Sequence, residues 1–223
     1  AGTTSIPAGA TIGTLDINGN SVTIDGATVK KVTDTKADST AEVTVKNTLV
    51  GTTNHDAAVS TKVDSIDTKG AVNIGNAKDV ATTTVGSVKT TSASTVDVSA
   101  NANKDKAAIR TKVNSITANN IEINSAKASI GVITRASTDS QGTLQMNNSS
   151  STEDIILPAV DGYKLTVNGN TTVASIADCP SASIASGKTL TVSGKATFTG
   201  NVITTGTTGD DKTGTLAIAP NSL

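Results

Sequence analysis

The chain has one cysteine, one histidine, one methionine, four prolines and no tryptophan; among its 223 residues only Tyr163 and Phe198 are aromatic. Each shortage excludes something. Cys179 cannot form an internal disulfide and reads as a small buried apolar residue, with an intermolecular bridge as the alternative. A β-sandwich usually packs around at least one large ring, and this chain has almost none to offer. No run of 18 apolar residues occurs, so no membrane span is expected. Eighteen Lys and Arg against 19 Asp and Glu leave a net charge of −1, which implies no nucleic-acid or anionic-membrane partner.

What is present is Thr and Ser, more than a quarter of the chain, interleaved with Val and Ile. Leu, Ile, Val and Phe make up little over a fifth, near the level at which disorder is suspected. The apolar residues are β-branched and alternate with polar ones, however, which is the pattern of half-buried strands. A core of Val, Ile, Leu and Ala must be thin and regular. The expectation is all-β, with a short helix at residues 101–108 as the one exception considered.

Two repeat signals point to stacked coils. Leu165-Thr166-Val167-Asn168-Gly169 returns as Leu190-Thr191-Val192-Ser193-Gly194, a step of about 25 residues. Thr61-Lys62-Val63-Asp64-Ser65-Ile66 returns as Thr111-Lys112-Val113-Asn114-Ser115-Ile116, a step of about 50, or two coils. Val72-Asn73-Ile74 returns as Ile121-Glu122-Ile123, and Ala77-Lys78 as Ala126-Lys127. Between them, Val85-Gly86-Ser87-Val88 and Val96-Asp97-Val98 keep the same spacing. A unit this short cannot bury its own apolar face, so the pattern predicts a parallel β-solenoid of coils of about 25 residues. Residues 1–50, with tight turns at Asn18-Gly19 and Asp25-Gly26, read as an N-terminal region that could be a small antiparallel cap. Residues 51–146 read as solenoid coils, and residues 147–223 as further coils with a final strand. Residues 51–58 and 139–154 read as loops, the latter an insertion or boundary.

The Leu-x-Val-x-Gly units at Leu165 and Leu190, with the Thr-Lys-Val-x-Ser-Ile pair, resemble extracellular β-solenoid proteins of microbial surfaces: surface-layer, adhesin-stalk and filament-forming subunits. The resemblance implies a secreted, cell-surface location, with surface glycans among possible partners. A start at Ala1-Gly2-Thr3 instead of Met fits a secreted chain after signal removal, or a trimmed one.

No catalytic, cofactor-binding or metal-binding residue is assigned, and the chain is not read as an enzyme. His55, beside Asp56, sits in a polar segment without a nucleophile elbow. The adjacent carboxylates Glu153-Asp154 and Asp210-Asp211 lie in loops without aromatic platforms for a sugar. Asp16-Ile17-Asn18-Gly19-Asn20 begins like a calcium loop but has Ser21 at the sixth position and Ala27 at the twelfth, so it reads as a turn. Thr-x-Thr runs at Thr82-Thr83-Thr84, Thr189/Thr191, Thr197/Thr199 and Thr213/Thr215 suggest an ice-binding ladder but do not recur at the coil period. Asn147, Asn148 and Asn170 carry the N-glycosylation pattern.

The expected function is structural: copies joining through terminal strands, at 216–218 and 6–17, into a filament, sheath or surface layer. The alternatives are an adhesin or binding module and, after it, an ice-binding solenoid or a carbohydrate-active β-helix enzyme.

Overall fold

In the computed structural model, the structure describes residues 2–47, 60–75, 82–99, 111–148, 153–206 and 213–219. Their regular structure is entirely strand, and every strand pair is parallel. In the first part of the chain each coil alternates between two walls. The strands are β1 (Thr3–Ile6), β2 (Thr11–Asp16), β3 (Ser21–Asp25), β4 (Thr28–Thr33), β5 (Val43–Lys46), β6 (Thr61–Asp67), β7 (Val72–Ile74), β8 (Thr83–Lys89), β9 (Thr95–Val98), β10 (Thr111–Thr117), β11 (Asn120–Ile123), β12 (Ala128–Thr134) and β13 (Gly142–Met146). Thereafter a full coil has three strands. They are β14 (Ile155–Leu157), β15 (Val160–Asp161), β16 (Tyr163–Val167), β17 (Thr171–Val173), β18 (Ile176–Cys179), β19 (Ala182–Ile184), β20 (Thr189–Val192), β21 (Ala196–Phe198) and β22 (Val202–Thr204), before β23 (Thr215–Ile218).

One wall runs the whole length, in the order β1-β3-β5-β7-β9-β11-β13-β16-β19-β22. Its inward residues form two columns, one from Val22 through Val43, Val72, Val96, Ile121, Leu144 and Leu165 to Ala182, the other from Ile24 through Val45, Ile74 and Val98 to Ile184. The facing wall is β2-β4-β6-β8-β10-β12. Its inward columns are Val29, Val63, Val85, Val113, Ile130 and, three residues on, Val32, Ile66, Val88, Ile116, Ile133. A flat strand would put every second residue inside. Here one residue is skipped in the pairing (Lys30, Asp64, Gly86, Asn114, Gly131), so each strand bends while both its halves still face the core.

After β12 the bend becomes a break. Pro158 and Ala159 stand between Leu157 and Val160, and proline has no N–H to give a ladder. Two separate sheets result, β14-β17-β20-β23 and β15-β18-β21. β12 and β14 are not hydrogen-bonded to each other, and Val132 and Ile156 are exposed beside this discontinuity. All the buried apolar residues form one continuous core, and each Val or Ile removed from water contributes about 1.5–3 kcal/mol to holding a coil on its neighbours.

Three expectations need correcting. The N-terminal region is no antiparallel cap: β1–β3, β2–β4 and β3–β5 all pair parallel, so residues 1–50 belong to the same stack. Asn18 and Gly19 do adopt positive φ (42° and 76°), but the turn carries the chain from one wall to the other instead of back along a hairpin. Leu165 and Leu190 are not one coil apart, since Leu165 pairs with Ala182 and Leu190 with Thr171 and Leu216, on different walls. The Thr61–Thr111 step, by contrast, is two coils, with Thr83 between. Finally, β13 lies inside 139–154, where a loop was expected. Residues 51–58, 101–108 and Ala77-Lys78 fall outside the described residues.

Candidate functional site

The corners are built by threonine. In the column that opens each long strand, Thr61, Thr83 and Thr111 point inward and are completely buried. A hydroxyl there survives only if hydrogen-bonded. Thr61 Oγ1 donates to Lys46 O (2.7 Å) and accepts from Gly26 N (2.7 Å). Thr83 donates to Gly75 O (2.8 Å), Thr111 to Ser99 O (3.4 Å), and Thr171, further along the stack, to Gly169 O (2.9 Å). Each threonine ties the start of a strand to the end of the preceding one.

Outside the long wall, amides form a ladder. Asn168 Nδ2 donates to Asn147 Oδ1 (2.9 Å), Asn147 Nδ2 to Asn124 Oδ1 (2.9 Å), and Asn124 Nδ2 to Asp97 Oδ2 (2.6 Å). Ser99 and Gln145 add bonds to Asp97 and Asn147. Below the ladder, Gly75 leaves a shallow cleft of about 300 Å³ lined by Thr44, Lys46, Asn73, Ile74, Asp97 and Ser99.

Among the described residues the stack has an edge strand at each end of every sheet. At the N-terminal end β1 and β2 are edge strands, and Ala10, Ile12 and Leu15 are only partly buried against the core. A cavity of about 160 Å³ opens there, lined by Thr4, Leu15, Asp16, Ile17, Asn20, Ser21 and Val22. At the other end β21, β22 and β23 are edges, Ala196, Phe198, Val202 and Leu216 are partly buried, and Ile218 is 47% exposed. Phe198 therefore stands at the mouth of the core. Thr4 and Thr204 occupy columns that are otherwise almost wholly aliphatic, so each end also carries one hydroxyl.

The other sequence candidates are placed as follows. His55, Asp56, Asp210 and Asp211 lie outside the described residues. Glu153 pairs with Lys127 (2.6 Å), and Asp154 accepts from Thr172 (3.2 Å). Asp16 caps its own turn and the next one, accepting from Asn18 N, Thr35 N and Thr35 Oγ1; the Thr35 hydroxyl chiefly holds its carboxyl below the ordinary value. Asp34, which sequence reading passed over, lies in the corner column of Ile17 and Thr68. Its Oδ1 accepts from Gly19 N and Lys36 N, while Oδ2 is buried without a hydrogen bond. Lys69 Nζ already donates to the carbonyls of Asp34 and Lys36, where a cation would look for oxygens. Among the described residues no group of three or more His, Cys, Asp or Glu is placed to hold a metal, and no helix is long and apolar enough to cross a membrane.

Of the three Asn-x-Ser/Thr sites, Asn147 is in the ladder, Asn148 is buried and donates to Glu153 O, and Asn170 accepts from Thr189 N. Thr191 pairs with Thr172 on one side and Ala217 on the other, and Thr189 with Thr215, so the outward threonines make pairs and no longer column. Cys179 is buried with its thiol pushed up to about 11, chiefly by desolvation. Tyr163 is buried too; its hydroxyl donates to Ala118 O (2.6 Å), and burial raises its pKa well above the usual tyrosine value. The spacing of Asn124, Asn147 and Asn168 behind Ile123, Met146 and Val167 was the signal that would have revealed the ladder.

No protein-family model, curated protein or solved structure matches the chain.

Proposed function

We propose that the chain is a structural subunit, acting outside the cell, that adds end to end to copies of itself in a filament or sheath. The observation that carries this reading is that β1 and β22 are the two edge strands of one wall, at opposite ends of an unbroken core. A second copy raised along the axis sets its β1 on β22 and the first half of its β2 on β23, each in the parallel sense used throughout the stack. Ladder groups that otherwise face water are then paired, and the partly buried apolar residues of both ends leave water. Such a contact does not close on itself, so it propagates. Thr4 and Thr204 make the joint less apolar than an interior layer, which suits reversible growth. Ten strands of the long wall at about 4.8 Å each set an axial repeat of roughly 48 Å.

Negative-stain electron microscopy with sedimentation velocity over a dilution series tests this. Fibres that lengthen with concentration and repeat at roughly 48 Å are expected; monomers at every concentration would refute self-assembly. A second reading, a surface-binding module, is favoured by one feature only, the shallow cleft at Gly75 beside the amide ladder.

A further inference from the structure

The two ends differ in a way that goes beyond edge pairing. In the stacked arrangement the second half of β2 does not meet a strand directly. Its counterpart below is β21, and β23 has no described companion on that wall, so one strand level lies vacant between them. The cavity at the N-terminal end opens on this level: Leu15, Asp16 and Ile17 come from β2 and the turn after it, Thr4 from β1. Beneath the same corner, on β21, stands the chain's single phenylalanine, half-covered by its own core. The cavity measures about 160 Å³, room for one ring, and Leu15, Ile17 and Val22 line it together with the polar Thr4, Asp16, Asn20 and Ser21.

Charge agrees with shape. Among residues 2–20, the first coil, the one charged side chain is Asp16. Among residues 186–223 the charged side chains are Lys188, Lys195 and Lys212 against Asp210 and Asp211, a net charge of +1. Lys195 directly precedes Ala196, whose wall position corresponds to that of Leu15, next to Asp16. The ends therefore attract each other as unlike ends and repel as like ends, which sets a head-to-tail sense.

We propose that Phe198 of one copy seats in the Thr4–Leu15–Ile17–Val22 cavity of the next, with Lys195 facing Asp16, as the specific lock of the end-to-end contact. The proposal rests on the assembly reading above and names the partner as a second copy of this chain. The ring converts a generic edge contact into one register, because a copy shifted by one strand leaves the ring in water and the cavity empty.

The test uses the full chain unaltered, as Phe198→Ala and as Asn20→Arg, which places a long side chain at the exposed rim of the cavity, with Lys195→Glu as a fourth form for the charge pair. Circular dichroism confirms that each is folded. In sedimentation velocity Phe198→Ala and Asn20→Arg, each alone, are expected to associate at least about tenfold more weakly than the unaltered chain, the effect of one aromatic ring left in water. Phe198→Ala keeps a working cavity and Asn20→Arg keeps a working ring, so a mixture forms one joint and stops at dimers. Lys195→Glu is expected to weaken association most at low salt. If the unaltered chain assembles and Phe198→Ala and Asn20→Arg both assemble equally well, or their mixture gives no dimers, the ring-in-cavity lock is wrong while end-to-end assembly stands. If the unaltered chain never assembles, both readings fall.

Discussion

Replacing Thr61 by valine removes one oxygen from a completely buried position and puts back a methyl group of nearly the same size. By area alone the change is favourable, since the core gains apolar surface. Hydrogen bonding reverses the sign. The Thr61 hydroxyl both accepts from Gly26 N and donates to Lys46 O, each at 2.7 Å, and valine leaves a buried donor and a part-buried acceptor unanswered. Each orphaned group costs about 1–3 kcal/mol, so after the methyl's contribution Thr61→Val is expected to destabilise by roughly 2–4 kcal/mol. Thr83→Val orphans one carbonyl bonded at 2.8 Å and is expected to cost about 1 kcal/mol. Thr111→Val gives up a bond of 3.4 Å, at the long end of the range, and should come out near zero. Thr61→Ser keeps both bonds, loses only the methyl, and should cost about 1 kcal/mol.

Urea denaturation followed by circular dichroism ranks the four variants. A solenoid can lose its end coils separately, so a local reading is needed as well. Hydrogen exchange at the Gly26 amide supplies it, because that N–H has Thr61 Oγ1 as its acceptor. Protection there is expected to fall in Thr61→Val and to persist in Thr61→Ser. Thr61→Val and Thr111→Val equal within about 0.5 kcal/mol, or an unchanged Gly26 amide in Thr61→Val, would refute the argument that hydroxyls clamp the corners.

Two further outcomes follow from buried titratable groups. With its thiol at about 11, Cys179 carries on the order of a hundredfold less thiolate at pH 8 than an ordinary cysteine, and it is also shielded; iodoacetamide should leave it unmodified in the folded chain and label it rapidly in urea, and fast native labelling would contradict its burial. Tyr163 holds its proton in the folded state above the ordinary tyrosine value of about 10, so its contribution to stability is complete below that pH and is lost as the pH rises further. Phenolate absorbance should therefore appear only as the chain unfolds, and a reversible titration near 10 with the fold intact would refute the buried hydroxyl's bond to Ala118.

The solenoid itself was legible because its coils are uneven in length but constant in which residues face inward. Thr61, Thr83 and Thr111 are 22 and 28 residues apart in sequence yet register neighbours in space, so a two-coil sum near 50 stood out where the single steps did not. The Leu165–Leu190 match misled for a related reason. Every wall asks for the same apolar-x-apolar strand, so a unit on one wall resembles a unit on another, and similarity does not say which wall a strand occupies. The N-terminal turns misled because an Asn-Gly pair dictates backbone dihedrals without dictating whether the next strand returns beside the last or crosses to a facing wall. The amide ladder and the Phe198 end were hidden because both depend on stacking order.

The corner clamps uncouple the core from what lies between strands. Thr61 reaches back 15 residues to Lys46, Thr111 12 residues to Ser99, Thr83 eight to Gly75 and Thr171 only two to Gly169, and all four make the same kind of bond. The exit and re-entry points of the chain are thus held at a fixed separation whatever the length of the excursion between them, and lengthening such an excursion costs only a slowly growing closure entropy. One edge of the molecule is in effect a row of sockets for interchangeable inserts, spaced by the strand repeat, while the stack behind them stays the same. A chain built this way can vary what it presents to its surroundings, or be grafted with foreign peptides at regular intervals, without renegotiating its interior.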